Sequence, residues 1–186
     1  MQSAVFCPVV FLQVSMNYAD IITVNNGGSR GDWGFMDYCP DRTLATGFIL
    51  KVQKRRGWLL DDTALNAIGL FCTKNNSQNV IKQITSTVGD FGSWRSSFFC
   101  QSGFLKRFSL RVDQRRGDNT AANNIMFTCS NSNILKGNGM NWGYYGIWSE
   151  DCNRGICGIK TRVEGNRGKL VDDTALNDVQ FLCCKT

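Results

Sequence analysis

The sequence predicts an all-β fold assembled from three similar units, and three observations carry that prediction. A hexapeptide recurs: Asp61-Asp62-Thr63-Ala64-Leu65-Asn66 returns as Asp118-Asn119-Thr120-Ala121-Ala122-Asn123 and as Asp172-Asp173-Thr174-Ala175-Leu176-Asn177, at spacings of 57 and 54 residues. Near-constant spacing of self-similar segments is the mark of a repeated supersecondary unit. Each copy is flanked by runs that alternate apolar and polar, the period of half-buried strands. No stretch shows a helical period capped at both ends, and nineteen glycines with two prolines suit tight turns between short strands.

Each unit reads in the same order. It opens on Gly-x-Trp, at Gly31-Asp32-Trp33, Gly92-Ser93-Trp94 and Gly146-Ile147-Trp148, and a cysteine follows at Cys39, Cys100 and Cys152. An alternating run comes next. Phe48, Leu50 and Val52 share one face, as do Phe108, Leu110 and Val112, and Ile159, Thr161 and Val163; Lys51, Arg111 and Arg162 point the other way. A basic, glycine-ended turn then leads to the Asp-rich hexapeptide: Arg55-Arg56-Gly57, Arg115-Arg116-Gly117, Asn166-Arg167-Gly168. The unit closes on a strand whose inward residues are Ile68, Leu70 and Cys72, then Ile125, Phe127 and Cys129, then Val179, Phe181 and Cys183. The units span roughly 30–75, 88–132 and 141–184. About 50 residues cannot bury enough apolar surface alone. One domain over 20–186 is therefore expected, three small sheets around one core with pseudo-threefold symmetry.

Nine cysteines set the compartment. Repeat register suggests Cys39–Cys72, Cys100–Cys129 and Cys152–Cys183, one per unit, leaving Cys157 to pair with Cys184. Exchanged partners among Cys152, Cys157, Cys183 and Cys184 stay open at this point. Each bridge closes a loop of about 30 residues, worth about 3–4 kcal/mol in the chain-entropy model. Such a framework implies an oxidising compartment and a secreted chain. A zinc site is disfavoured by adjacent Cys183-Cys184 and by the lack of histidine, so neither metal nor cofactor is expected. Residues 1–19 carry an apolar run from Ala4 to Val14 of signal-peptide length. It lacks a basic flank, and a non-native N-terminal segment is the alternative; Cys7 would leave with it. No other segment reads as transmembrane. Asn75-Asn76-Ser77 is an N-glycosylation sequon, with Asn75 the candidate acceptor.

Ile22-Thr23-Val24-Asn25-Asn26-Gly27-Gly28, the Gly-x-Trp openings, the three Asp-rich hexapeptides and the terminal Cys183-Cys184 together resemble the vitelline membrane outer layer protein I family. The likeness covers roughly 20–186. It implies a β-prism of three Greek-key sheets with four disulfides. It also implies an aromatic three residues before each opening Trp; Phe91 and Tyr145 match and Arg30 does not. The function it implies is that of an extracellular coat protein, with a weak lysozyme-like transfer activity on N-acetylglucosamine oligosaccharides as the alternative.

Three sets of residues are candidates for function. Asp61, Asp62, Asp118, Asp172 and Asp173 are carboxylates in equivalent turns. Two carboxyls some 5–10 Å apart could perform glycosyl transfer, whereas triads that need histidine are excluded. Turn-fixing is the favoured reading, because Asp and Asn bond to nearby backbone amides. A catalytic pair needs two unlike environments; a motif copied three times offers none, and the second copy has Asn119 in place of Asp62. Trp33, Trp94 and Trp148 could stack on sugars, but packing at the centre of the prism is favoured; Trp58, with Leu59 and Leu60, reads instead as an apolar loop tip for a partner. Arg55, Arg56, Arg115, Arg116 and Arg167 recur at equivalent turns of a chain of net charge +6. A basic rim would attract acidic glycans, sulfated matrix or coat glycoproteins, or serve as a solvated face. Nucleic acid is not an expected partner, and the sequence is silent on oligomeric state.

Overall fold

A computed structural model of the chain describes residues 20–53, 65–74, 77, 79–113, 121–165 and 176–185. Fourteen strands form three antiparallel sheets, and none of the described elements is a helix. In the first sheet β4 (Thr43–Val52) pairs with β5 (Leu65–Lys74), and β5 with β6 (Val80–Thr85). The free side of β4 takes β7 (Ser93–Trp94) and β8 (Phe98–Phe99). The second sheet repeats this order with β9 (Leu105–Val112), β10 (Ala122–Cys129), β11 (Ile134–Lys136) and β12 (Tyr144–Tyr145). The third is built from both ends of the described chain. In it β13 (Ile156–Val163) pairs with β14 (Leu176–Cys183), β14 with β1 (Ile21–Ile22), and β13 with β2 (Asp32–Trp33) and β3 (Asp37–Tyr38). In the first two sheets the fourth strand returns to lie beside the first, which is the Greek-key order.

The alternating residues form these strands for the expected reason. Phe48, Leu50, Val52, Ile68, Leu70 and their counterparts in the other sheets are buried, and the three inner faces meet in one core. Phenylalanines fill its centre. The rings of Phe48 and Phe127 lie 4.9 Å apart, Phe108 and Phe181 4.8 Å, and Phe127 and Phe181 5.2 Å, each pair supplied by two different sheets. The tryptophans are not there. Trp33 and Trp148 are half-buried and Trp94 is exposed, on the outer faces. The reason lies in the pairing: Trp33 stands opposite Arg162 and Trp94 opposite Lys51. Directly paired residues share a face, and these cations alternate with buried Val163 and Val52, so the Trp rings face outward with them.

The third opening also shifts. Gly31, Gly92 and Gly143 share a positive φ of 76°, 83° and 71°. A Cβ on any of them would fall within 2.6 Å of backbone atoms of Val163, Val52 or Val112, so only glycine fits these close approaches. Gly143-Tyr144-Tyr145 is therefore the third opening strand, and Gly146-Ile147-Trp148 follows it. In the corrected register Arg30, Phe91 and Trp142 precede the three glycines.

Each opening strand completes the sheet of the preceding unit, not its own: β7 joins β4, β12 joins β9, and β2 joins β13. The cysteine that follows stays with that same sheet. Cys100, Cys152 and Cys39 donate their backbone N–H to the carbonyls of Thr46, Lys106 and Cys157, each at 2.8 Å. Those three acceptors sit at register shifts in β4, β9 and β13, where one residue is left out of the ladder and its carbonyl is turned outward. The disulfides Cys39–Cys72, Cys100–Cys129 and Cys152–Cys183 then join third sheet to first, first to second, and second to third, with Cα separations of 5.6, 5.9 and 5.1 Å. Cys157–Cys184 lies within the third sheet. The seam bridges define one test. Replacing Cys100 and Cys129 together by serine lowers the unfolding free energy in urea by about 3–4 kcal/mol, and a loss below about 1 kcal/mol would show that the seam holds without its bridge.

Candidate functional site

Most residues singled out for function lie outside the described residues: Asp61, Asp62, Asp118, Asp172 and Asp173, the basic-turn residues Arg55, Arg56, Arg115, Arg116 and Arg167, the loop Trp58, and Asn75 of the sequon. The described strand ends that bracket these three segments are Val52 and Leu65, Val112 and Ala122, and Val163 and Leu176, all buried and at matching registers of the three sheets.

The last residue of each hexapeptide is described, and it has a common task. Asn66, Asn123 and Asn177 are buried. Their backbone carbonyls accept the N–H of Gly89, Met140 and Gly28 at 2.8, 2.7 and 2.8 Å. Each acceptor thus docks the segment that leads into an opening strand. Asn66 Oδ1 also accepts the Phe91 N–H at 3.3 Å. The outward cations hold the same segments from the other side. Lys51 Nζ donates to the Gly89 carbonyl at 2.7 Å, Arg111 Nε to those of Trp142 and Gly143 at 3.0 Å each, and Arg162 Nε to that of Gly31 at 3.2 Å.

These cations also organise the aromatics. The Arg162 guanidinium lies 5.5 Å and the Lys160 ammonium 5.7 Å from the Trp33 ring centre, Arg111 lies 5.4 Å from Tyr145, and Arg107 5.2 Å from Trp148. Burial raises the Tyr145 hydroxyl pKa, against the opposing pull of Arg111. Three of the outer-face aromatics are thus engaged by the protein's own cations, an arrangement that the sequence signalled only through the residues facing away from the core. Two acids differ in environment. Burial pushes the Asp37 carboxyl up. The Lys82 hydrogen bond at 2.9 Å and the N–H groups of Thr85 and Tyr38 outweigh it and hold the group below its ordinary value. Asp178 goes the other way: burial drives it up to about 6, although the Val179 N–H and the Arg162 charge favour its ionised form. Gly27 packs against that carboxyl so closely that a Cβ would fall 2.2 Å from its carbon. The matching residue of the second sheet is Asn124, whose Oδ1 accepts the Ile125 N–H at 2.9 Å and whose Nδ2 donates to the Gly137 carbonyl at 2.8 Å. An ionised Asp178 has no such donor. Sequence reasoning missed Asp178; its signal was an acid where the other copies carry Ala67 and Asn124.

The first sheet carries a concavity of about 510 Å3 on its outer side, lined by Thr46, Ser77, Phe99, Cys100, Gln101, Ser102 and Gly103. Beside it the rings of Phe71 and Phe99 stack with centroids 5.1 Å apart and planes inclined by 21°.

A family model described as Vitelline membrane outer layer protein I matches residues 20–186. A vitelline membrane outer layer protein 1 homolog from Mus musculus is 46% identical over 176 residues, which cover 93% of this chain and 87% of the relative. The homolog from Homo sapiens is 45% identical over 172 residues, covering 91% and 85%. Among solved structures, Calystegia sepium agglutinin matches with a TM-score of 0.54 at 15% identity, over 89% of this chain and 95% of its own. A mannose-specific jacalin-related lectin from Morus nigra, solved with mannose, matches with a TM-score of 0.52 at 14% identity, over 90% and 96%. At such identities these two establish the fold alone, an all-β prism of three sheets.

Asp178 yields a signed prediction. Its folded pKa of about 6 lies above the ordinary 3.8, so the folded state binds this proton more tightly than the unfolded chain. The resulting stability is fully present below about pH 4 and is lost as pH rises through about 6. Asp178→Asn, which reproduces the side chain of the second sheet, removes that loss. The melting temperature of the variant exceeds that of the wild type at pH 7, and the gap closes towards pH 4. A gap independent of pH would sink the assignment.

Proposed function

The chain belongs to the vitelline membrane outer layer protein I family, and from that premise we propose that it is a secreted, non-catalytic coat or matrix component that contacts glycans or glycoproteins. The observation that carries this reading is the set of three disulfides that staple each sheet to the next around a closed core. A bridge at every seam suits a chain that must persist in an oxidising extracellular setting. It also fixes the three walls relative to one another, which favours a rigid presenting surface over a moving active site. The family names support a coat role, and the mannose-specific lectin that shares the fold supports contact with glycans. The repeated Asp-rich turns support a structural use of their carboxyls, since three like copies do not give a proton donor and a base separate environments.

The test is product analysis. The purified protein is incubated with N-acetylglucosamine oligomers and the mixture is read by mass spectrometry against a heat-denatured control. The expected result is an unchanged oligomer distribution. Longer or shorter oligomers in the active sample alone would establish the transfer activity and direct attention to Asp61, Asp118 and Asp172.

A further inference from the structure

The first sheet carries a stacked aromatic pair on its outer face where its two counterparts have none among the described residues. Gly47 of β4 is paired with Phe71 of β5 on one side and Phe99 of β8 on the other. A Cβ at Gly47 would lie 2.4 Å from Phe99 Cδ1, so the absent side chain is what lets the phenyl ring settle over the strand. Phe99 remains 39% exposed, and one side of it faces the concavity.

The pseudo-threefold symmetry supplies an internal control. Counting back from Cys100, Cys39 and Cys152, Phe99 corresponds to Tyr38 and Asp151; counting on from the register shifts, Gly47 corresponds to Gly158 and Arg107; and counting back from Cys72, Cys183 and Cys129, Phe71 corresponds to Leu182 and Thr128. In the second sheet this position is occupied by charge. Lys106 pairs with Asp151 at 2.8 Å, and Arg107 Nε lies 3.8 Å from Asp151 and donates to Thr128 Oγ1 at 3.4 Å. The fold therefore accepts a polar, an aliphatic or an aromatic neighbour here, and packing alone does not explain two stacked phenyl rings at the surface.

The chemistry of the concavity narrows what could fill it. Among the described residues its lining contains no charged side chain, in a chain of net charge +6. An anionic ligand would meet no cation among these lining residues. A wholly apolar ligand would cover the Gln101 amide and take water from the Ser102 and Ser77 hydroxyls, which each accept one bond from the protein, at a cost for each polar group so covered. Ser102 Oγ accepts the Asn131 side-chain amide at 3.0 Å, and a hydroxyl that accepts one bond keeps a donor and a second lone pair. The seam holds the site rigid: the Cys100 N–H is bonded to the Thr46 carbonyl, Cys100 is bridged to Cys129, and Gly103, at a φ of 80°, abuts Ser130. The volume falls in the range of small-ligand sites. A ligand that is neutral, rich in hydroxyls and apolar on one face is a pyranose.

We propose that this concavity is a binding subsite for a neutral oligosaccharide, with the C–H face of one sugar ring against Phe99 and its hydroxyls on Gln101, Ser102 and Ser77. The assignment rests on the glycan-contacting reading given above and locates it. The test is isothermal titration of the full chain with three neutral trisaccharides, of β-linked N-acetylglucosamine, β-linked glucose and α-linked mannose, and with a sulfated tetrasaccharide. At least one neutral trisaccharide binds, and Phe99→Ala and Gln101→Ala each weaken it by about tenfold or more. Tyr38→Ala, at the matching place in the third sheet, leaves the affinity unchanged. Gln101 is exposed, so its replacement tests the site even if Phe99→Ala lowers the melting temperature. Neutral binding that survives both substitutions, or binding of the sulfated probe alone, overturns the subsite and leaves glycan contact elsewhere on the chain. Binding of no probe overturns the subsite together with the glycan-contacting reading.

Discussion

The structure depends on closure. Three sheets of this size form a stable core only if each is held against both of the others. The chain achieves this by passing its opening strand back to the preceding sheet before starting the next one. At every crossing a carbonyl turned out at a register shift receives the N–H of the incoming cysteine at 2.8 Å, and the cysteine is bridged to the following sheet. A backbone hydrogen bond and a covalent bond thus act on the same residue at each seam. With the walls fixed, the phenylalanines from all three sheets meet ring to ring at the centre, and the aromatic residues of the opening strands are left outside.

Outside, the same few positions are reused with different chemistry. The cations that alternate with the core residues fasten the incoming segment through its carbonyls and cover Trp33 and Tyr145. The buried Asn of each hexapeptide fastens that segment from the other side. These contacts recur in threes and belong to the scaffold. What does not recur is more informative about function: Asp178 in place of an alanine or an asparagine, and an aromatic pair over Gly47 where the second sheet carries ion pairs. With a symmetric scaffold the departures from symmetry are the places released from its demands.

The strands and their inward faces were legible because period two is written plainly in Phe48-Leu50-Val52 and its copies. Repeat register suggests Cys39–Cys72, Cys100–Cys129 and Cys152–Cys183, since equivalent positions take equivalent partners, whereas Cys157 and Cys184 have no counterparts in the other units and are only left over; the structure has Cys157 bridged to Cys184. Four features were not legible. Which sheet an opening strand joins is hidden, because in a repeat the preceding unit and the unit itself present the same partner sequence. The third opening was misregistered because tryptophan served as the marker, whereas the constraint falls on the glycine: Gly143 holds the positive φ, and Tyr145 takes the place of Trp33 and Trp94. The central tryptophans were an inference from size, and the ladder overrode it by pairing them with outward cations. The site on the first sheet had no linear signal. Thr46, Ser77, Phe99 and Gln101 come together only through the seam, and their neutrality as a group is invisible until they are adjacent.

Both ends of the described chain meet in the third sheet, and this imposes an order of assembly on a chain made from its N-terminus. The first sheet has all its strands once residue 99 has emerged, and the second once residue 145 has. The third cannot be completed until β13 and β14 exist, so β1, β2 and β3 must wait without their pairing partners through nearly the whole of synthesis. Cys39 can reach Cys72 early, but the strand that carries it gains its own sheet last. Oxidation could therefore tether the leading segment before its ladder forms. The finished prism is then locked by the strands made last, and a chain truncated before β14 would leave β1 without its partner strand.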